Sequence, residues 1–261
     1  MEDKIKSMGG RIVYNTKVDK IHFEGKTACG IEAGGETVSF DGVIVSQDSL
    51  TLKNLIGEAP KDKWILAAKN ELPIQTTFAA FGIREDLQDK PYAFAFDEDI
   101  TVGGIQYDSI ELTNYARYPS YAPPGCSSLT CMFTGDSYDY WKEHKNNGTY
   151  DDEKQKLASE LQQLLEKNIP SLKDKIEVIN IATPLTYERY TGSHKGTWMT
   201  VLLKNKLTGI LPKSISAAHK HLYYAGFRVK APGGLPVALL SGFKAAQYAC
   251  RDFKMVFEGK C

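Results

Sequence analysis

The chain of 261 residues carries no excess charge of either sign, with 32 Lys plus Arg against 32 Asp plus Glu. Without a basic block it lacks the footprint that phosphate backbones or anionic membranes require, so nucleic acid is not expected as a partner. Cysteine is scarce and irregular. Cys29, Cys126, Cys131, Cys250 and Cys261 form no C-x-x-C pair, and none stands at zinc-ligand spacing from a histidine. The odd count points to reduced thiols and a cytoplasmic protein. His22, His144, His194, His219 and His221 show no ligand grouping, so no metal is expected. No apolar run reaches the length of a transmembrane helix and no signal peptide is read at the start, which leaves only peripheral membrane contact open. Asn147-Gly148-Thr149 has the form of a glycosylation sequon but reads as a turn. A GxSxG elbow, a Walker loop and an HExxH motif are missing, so hydrolase, nucleotidase and zincin chemistries have no support.

What is present is a core-forming composition, 42% hydrophobic, enough for one large domain or two small ones. The opening MEDKIKS reads as the end of a helix closed at Gly9-Gly10. Strands are expected over Arg11–Phe23, Thr27–Ala33 and Glu36–Phe40, joined by glycine turns as in a meander. Gly42–Ser46 is short and apolar, as in the centre of a parallel sheet. Its carboxyl end at Ser46 falls where open α/β sheets hold ligands. The middle of the chain differs. Thr76–Ile83, Tyr92–Phe96, Gln106–Tyr115 and Ser127–Thr134 read as antiparallel strands, followed by a helix from Asp151 with Leu157, Leu161, Leu164 and Leu165 on one face. The end returns to α/β style, with a strand at His221–Gly226 and a helix from Pro236 to Arg251. Ala238, Gly242, Ala245 and Ala249 form a stripe of small residues along that helix.

Between this strand and helix lies Gly233-Gly234-Leu235-Pro236. A helix N-terminus exposes free N–H groups and partial positive charge, and glycine lets backbone approach a ligand closely. The loop is either a tight turn with no ligand or a seat for an anionic or planar group; the motif alone does not choose.

Three stretches carry a resemblance. Gly226, Pro232-Gly233-Gly234-Leu235-Pro236 and Ser241-Gly242 form a tail of strand, glycine loop and S-G helix. Ala182-Thr183-Pro184-Leu185-Thr186-Tyr187-Glu188-Arg189-Tyr190-Thr191-Gly192, followed by Gly196, forms a second, long motif. Gly9-Gly10-Arg11-Ile12 leading to Val18 forms a third. Together, and in this order, they resemble the phytoene-desaturase-like flavoproteins, which include carotenoid desaturases and isomerases and retinol saturases. The resemblance implies an α/β fold: a partial FAD/NAD(P)-binding, Rossmann-like domain at 1–58 and 193–261, with an inserted α+β antiparallel-sheet substrate domain at 59–192. It implies FAD, held by Val18, Ser46, Gly226, Phe227, Gly233, Gly234, Leu235 and Pro236. It implies a hydrophobic isoprenoid, carotenoid or retinoid substrate, near Tyr187, Arg189 and Tyr190.

The sequence also departs from the family. The G-x-G-x-x-G turn that holds the diphosphate is not found, and Gly103-Gly104 does not fit it. Phe227 stands where Asp, Glu or Gln is usual, and Phe243 where Arg is frequent. The stretch resembles the carboxyl half of an enzyme. It is either a fragment, or completed by a separate N-terminal FAD-binding half, or truncated and non-catalytic. Tyr92, Phe94 and Phe96, with Phe78 and Phe81 on a neighbouring strand, are read either as core or as the lining of an apolar tunnel. Glu188 and Arg189 are equally open to ion pairing.

Overall fold

The computed structural model describes residues 1–48, 52–57, 71–199, 202–203, 213–227 and 233–259. The chain divides into two compact units, Met1–Glu71 with Leu203–Cys261, and Leu72–Leu202. The two-residue strands β5 (Glu71–Leu72) and β13 (Leu202–Leu203) mark where it passes between them. The amino-terminal edge of the insert expected from the sequence, residue 59, lies outside the described residues.

The first unit opens on helix α1 (Glu2–Ser7), closed at Met8 and followed by Gly9 at φ +83°. A three-stranded antiparallel meander follows: β1 (Val18–Glu24), β2 (Thr27–Ala33) and β3 (Glu36–Ser39). The strand expected from Arg11 begins only at Val18. Asn15 sits in the left-handed region at φ 52°, and the Thr16 hydroxyl donates to the Tyr14 carbonyl, so a local turn interrupts the extended run. Strand β4 (Val43–Val45) pairs in parallel with β14 (Leu222–Tyr224), residue for residue. Both are wholly apolar or aromatic, and β14 is buried throughout while Ile44 of β4 is half exposed. Helix α2 (Lys53–Ile56) adds Leu55 and Ile56 to a small core of Ile21, Ala28, Val45, Leu222 and Tyr224.

Helix α6 (Gly234–Asp252) packs against β14 and is fastened near its end, where the Tyr223 hydroxyl donates to Asp252 over 3.0 Å. Burial, and then that hydrogen bond, push the Tyr223 phenol above its usual pKa. Of its residues Ser241 and Ala245 are buried. A Cβ at Gly242 would meet nothing within 4 Å, so the stripe of small residues is not used along its whole length.

The second unit is built on five antiparallel strands in the order β12 (Ile176–Ala182), β6 (Thr76–Ile83), β11 (Ser127–Thr134), β10 (Ile110–Asn114) and β7 (Ala93–Phe96). Strands β8 (Ile100–Val102) and β9 (Ile105–Tyr107) form a separate hairpin. The expected strand Gln106–Tyr115 is therefore two strands, broken at Asp108 and Ser109.

Alternation sends one side of the sheet inward, with Phe81, Leu129, Cys131 and Leu112 buried together. Against that side lie helices α3 (Tyr138–Asn146) and α4 (Tyr150–Asn168), which contribute Trp141, Leu157, Leu161 and Leu165 to the core. Trp141 is buried and its indole N–H donates to Thr77 Oγ1 over 3.1 Å. Full burial of each such side chain contributes roughly 1.5–3 kcal/mol. One expectation is corrected here. Strands β6 and β7 are not neighbours, and Phe78 and Phe81 point to opposite faces by parity. Phe81 is core, and Phe94 and Phe96 are half-buried against that same core. Phe94 and Phe96 also border a hollow of about 410 Å³ with Lys90, Pro91 and Pro170.

Candidate functional site

In the first unit the two parallel strands run in step to their carboxyl ends. The Ala225 amide donates to the Val45 carbonyl over 2.9 Å, which sets Ser46 beside Gly226. Gly226 has φ +116°, and a Cβ there would stand 3.3 Å from the Ser46 carbonyl oxygen. Only glycine takes that conformation without strain.

The loop after Gly226 includes Pro232, which lies outside the described residues. The chain reappears at Gly233, the N-cap of α6, with φ 92° and ψ −153°, and Gly234 begins the helix at φ +78°. Among the described residues no side chain caps this terminus, and its first turn holds no acidic residue. Those residues leave the partial positive charge of the helix start uncompensated. Leu235 is 80% exposed beside it, and Pro236 is exposed.

Helix and strand are locked by one side chain that the sequence reading quoted but did not assign to the site. Ser241 Oγ accepts the Gly226 amide proton over 2.8 Å, and its own proton lies within reach of the carbonyls of Gly226 (3.0 Å) and Ala238 (2.8 Å). The signal was the Ser-Gly pair two turns into a helix that follows a glycine loop. Ser, placed mid-helix, makes such backbone bonds readily.

Of the other residues expected to meet a cofactor, Val18 opens β1 and packs against the core that contains Val45 and Tyr224. Phe227 is half-buried. Phe243, at the second departure from the family pattern, packs edge-on against Phe257 with ring centroids 4.9 Å apart. Phe243 thus takes part in apolar packing.

These residues fit a planar, electron-accepting ring better than a bare turn does. Backbone is cleared of side chains at Gly226, Gly233 and Gly234, and the uncapped start of α6 favours negative charge. The residues that would hold a flavin ring are Ser46, Gly226, Phe227, Gly233, Gly234, Leu235 and Pro236. A bound flavin supplies hydride and electron transfer; the protein's part is orientation and exclusion of water.

The residues expected near a substrate lie in the second unit on one short helix, α5 (Pro184–Thr191). Its motif turns out to encode the helix itself. Thr183 and Thr186 form a capping box, Pro184 occupies the first turn, and Gly192 closes the helix in the left-handed conformation at φ 65°. Gly196 passes so near the start of the helix that a Cβ would come 1.8 Å from the Pro184 carbonyl oxygen.

Tyr187 is half-buried, and burial pushes its phenol above the usual range. Arg189 and Tyr190 are exposed, with the guanidinium over the Tyr190 ring at 4.7 Å. Glu188 accepts the Tyr138 hydroxyl proton over 2.8 Å. Burial, and then this carboxylate, push the Tyr138 phenol up to about 12. Neither Glu188 nor Arg189 forms an ion pair among the described residues. Among those residues, too, no three His, Cys, Asp or Glu side chains group as metal donors, and no helix is long and apolar enough to cross a membrane.

Residues 1–250 match the family model for flavin containing amine oxidoreductases. Prolycopene isomerases 1 and 2, chloroplastic, from an Oncidium hybrid cultivar are each 25% identical over 201 residues, covering 73% of this chain and 34% of the relative. Cyclohexylamine oxidase from Brevibacterium oxydans IH-35A superposes with a TM-score of 0.65 at 14% identity, covering 91% of this chain and 48% of that one. An oxidoreductase from Methanosarcina mazei superposes with a TM-score of 0.57 at 18% identity, covering 92% and 51%. The chain thus spans about a third of the length of those isomerases and about half of those solved structures. The likeness to the latter shows a shared fold. The chain belongs to the family of flavin containing amine oxidoreductases, whose cofactor is a flavin.

Proposed function

We propose that the first unit holds the isoalloxazine end of FAD and that the second unit forms the substrate side of an oxidoreductase of desaturase, saturase or isomerase type, acting on a hydrophobic isoprenoid or carotenoid-like polyene. The observation that carries this reading is the paired end of β4 and β14. There Gly226 is cleared of side chain against Ser46, and Ser241 ties it to a helix whose start is uncapped. The isomerase relatives support a polyene substrate, and the absence of acid–base motifs is compatible with chemistry supplied by the flavin.

The diphosphate of FAD then requires a segment with the dinucleotide fingerprint, which we assign to a separate N-terminal FAD-binding half. The outer edge of β4 supports this, because no strand pairs with it among the described residues and Ile44 is 50% exposed there. The same edge favours a second reading, a non-catalytic truncated module that binds a partner or apolar ligand.

The test is FAD titration followed by flavin absorbance. It is run on the chain alone and on the chain co-expressed with the amino-terminal remainder of an Oncidium prolycopene isomerase. Stoichiometric flavin in either preparation, weakened in Leu235→Asp, an exposed change that leaves the urea midpoint where it was, supports the enzyme reading. Colourless protein in both preparations overturns it and leaves the truncated module. Reaction of the loaded protein with cis-polyenes in detergent, followed by chromatography, then tests the substrate class.

A further inference from the structure

We infer that the hollow between α3, the start of α4 and α5 binds a phosphate or diphosphate group, free or on an ester. This inference is independent of the flavin reading. The hollow, of about 460 Å³, lies wholly within the second unit, and Lys142, Lys145, Lys154 and Arg189 border it. Asp151 and Glu188 are the carboxylates on its wall. Four cations against two anions leave a net charge of +2, which a phosphate dianion neutralises. Glu188 is already engaged by the Tyr138 hydroxyl at 2.8 Å.

Among the described residues these cations have no carboxylate partner within ion-pair distance. In the same unit Arg84, Lys90, Lys156, Lys167, Lys175 and Lys195 each lie within 4.0 Å of a carboxylate. Six cationic side chains of the unit form no ion pair among the described residues: Arg117, Lys173 and the four around this hollow.

Local structure gathers those four. Lys142 and Lys145 are three residues apart on α3 and share a face. The ammonium groups of Lys145 and Lys154 both sit over the Tyr150 ring, at 5.3 and 5.4 Å from its centroid. One ring thus gathers two ammonium groups, and an anion in the hollow is drawn to both. Thr186 adds a hydroxyl to the wall, while Leu185 and the Tyr150 ring give it an apolar part suited to the carbon skeleton of an ester. The volume suits a diphosphate or a small phosphoester rather than a large ligand.

Trp141 lies edge-on to Tyr150 at 5.9 Å, so its fluorescence reports on the hollow. The experiment titrates the full chain with pyrophosphate at constant ionic strength, alongside sulfate and vesicles of phosphatidylglycerol in phosphatidylcholine. A saturable change with pyrophosphate, tighter than with sulfate and weakened at least tenfold in K142A/K145A/K154A, is expected. K156A/K167A, which removes two paired lysines, should bind as the parent does. Urea midpoints establish that each variant is folded, and Arg189→Ala, a single exposed change, serves if the triple variant is not. Vesicle binding displaced by pyrophosphate supports the site with a lipid headgroup as the source. A response no stronger than that to sulfate overturns the inference, as does equal affinity in the variants or vesicle binding indifferent to pyrophosphate.

Discussion

The two units are of nearly equal length but are built to different degrees of self-sufficiency. The second buries nineteen apolar side chains in one core beneath a five-stranded sheet, among them Trp141, Phe81 and Phe133. The first, among its described residues, buries eight around a two-stranded parallel pair and a meander. It leaves Ile44, Phe40, Leu235, Leu239 and Leu240 exposed. A sheet that closes its own face can fold on local and hairpin contacts, whereas a parallel pair needs neighbours on both sides before its backbone and its faces are satisfied. The difference teaches that, among the described residues, the second unit carries its own larger apolar core, and the parallel pair of the first depends more on what lies beside it.

Cysteine chemistry gives the largest contrast. Burial pushes the Cys131 thiol of the second unit from an ordinary 9.0 to about 12, which leaves about a thousandfold less thiolate at a given pH. Alkylation followed by mass spectrometry should label half-buried Cys29 and Cys250 of the first unit early, together with half-buried Cys126 of the second, and Cys131 only when the core of the second unit opens. Labelling of Cys131 as early as Cys250 would erase the distinction between the units.

Next in size is Gly196→Ala, which places a Cβ against the Pro184 carbonyl at a backbone angle of φ +64°. A loss of about 3 kcal/mol or more in urea unfolding is expected from the strain and the enforced shift of α5. It should be read from Trp141 fluorescence and leave the labelling of Cys29 unchanged.

Ser241→Ala makes the reciprocal change in the first unit. It strands the Gly226 amide, at a cost of about 1–3 kcal/mol, and should weaken flavin binding more than Thr191→Ala does in the second unit.

The smallest effect is electrostatic. The Lys175 ammonium beside Glu85 holds that carboxyl below its ordinary 4.5. A depressed folded pKa means that the contribution is complete above pH 4.5 and disappears as pH falls through the lower, folded value. Glu85→Gln should therefore cost under about 1 kcal/mol at pH 7 and nothing further in strong acid, as measured by urea midpoints against pH.

Most of the scaffold was legible. Glycine turns gave β2 and β3, β-favouring residues gave β6 and β11, and the leucine stripe gave α4, because those signals are local to the chain. Helix α3 was missed because Tyr138–Asn146 is mostly polar and is held chiefly by Trp141. Strand β12 was missed because its alternation is weak, with Ile181 its one fully buried residue. The Thr183–Gly192 motif was legible as a resemblance, but its local logic, a helix with a capping box and a left-handed glycine stop, had not been read from it. Lys142 and Lys145 stood in plain view at helical spacing. Nothing in the sequence brought Lys154 and Arg189 to them.

By itself, then, the sequence determined many of the elements though not α3 or β12, the glycines that clear the backbone at residues 226 and 233–234, and membership of a flavin-dependent family, since these rest on local conformational preference and residue type. Only the tertiary structure decided that Ser241 clamps Gly226 beside Ser46, that Phe78 and Phe81 part to opposite faces, and that four unpaired cations share one hollow. Those facts are distances between residues far apart in the chain, and such distances are fixed only when the sheets and helices pack.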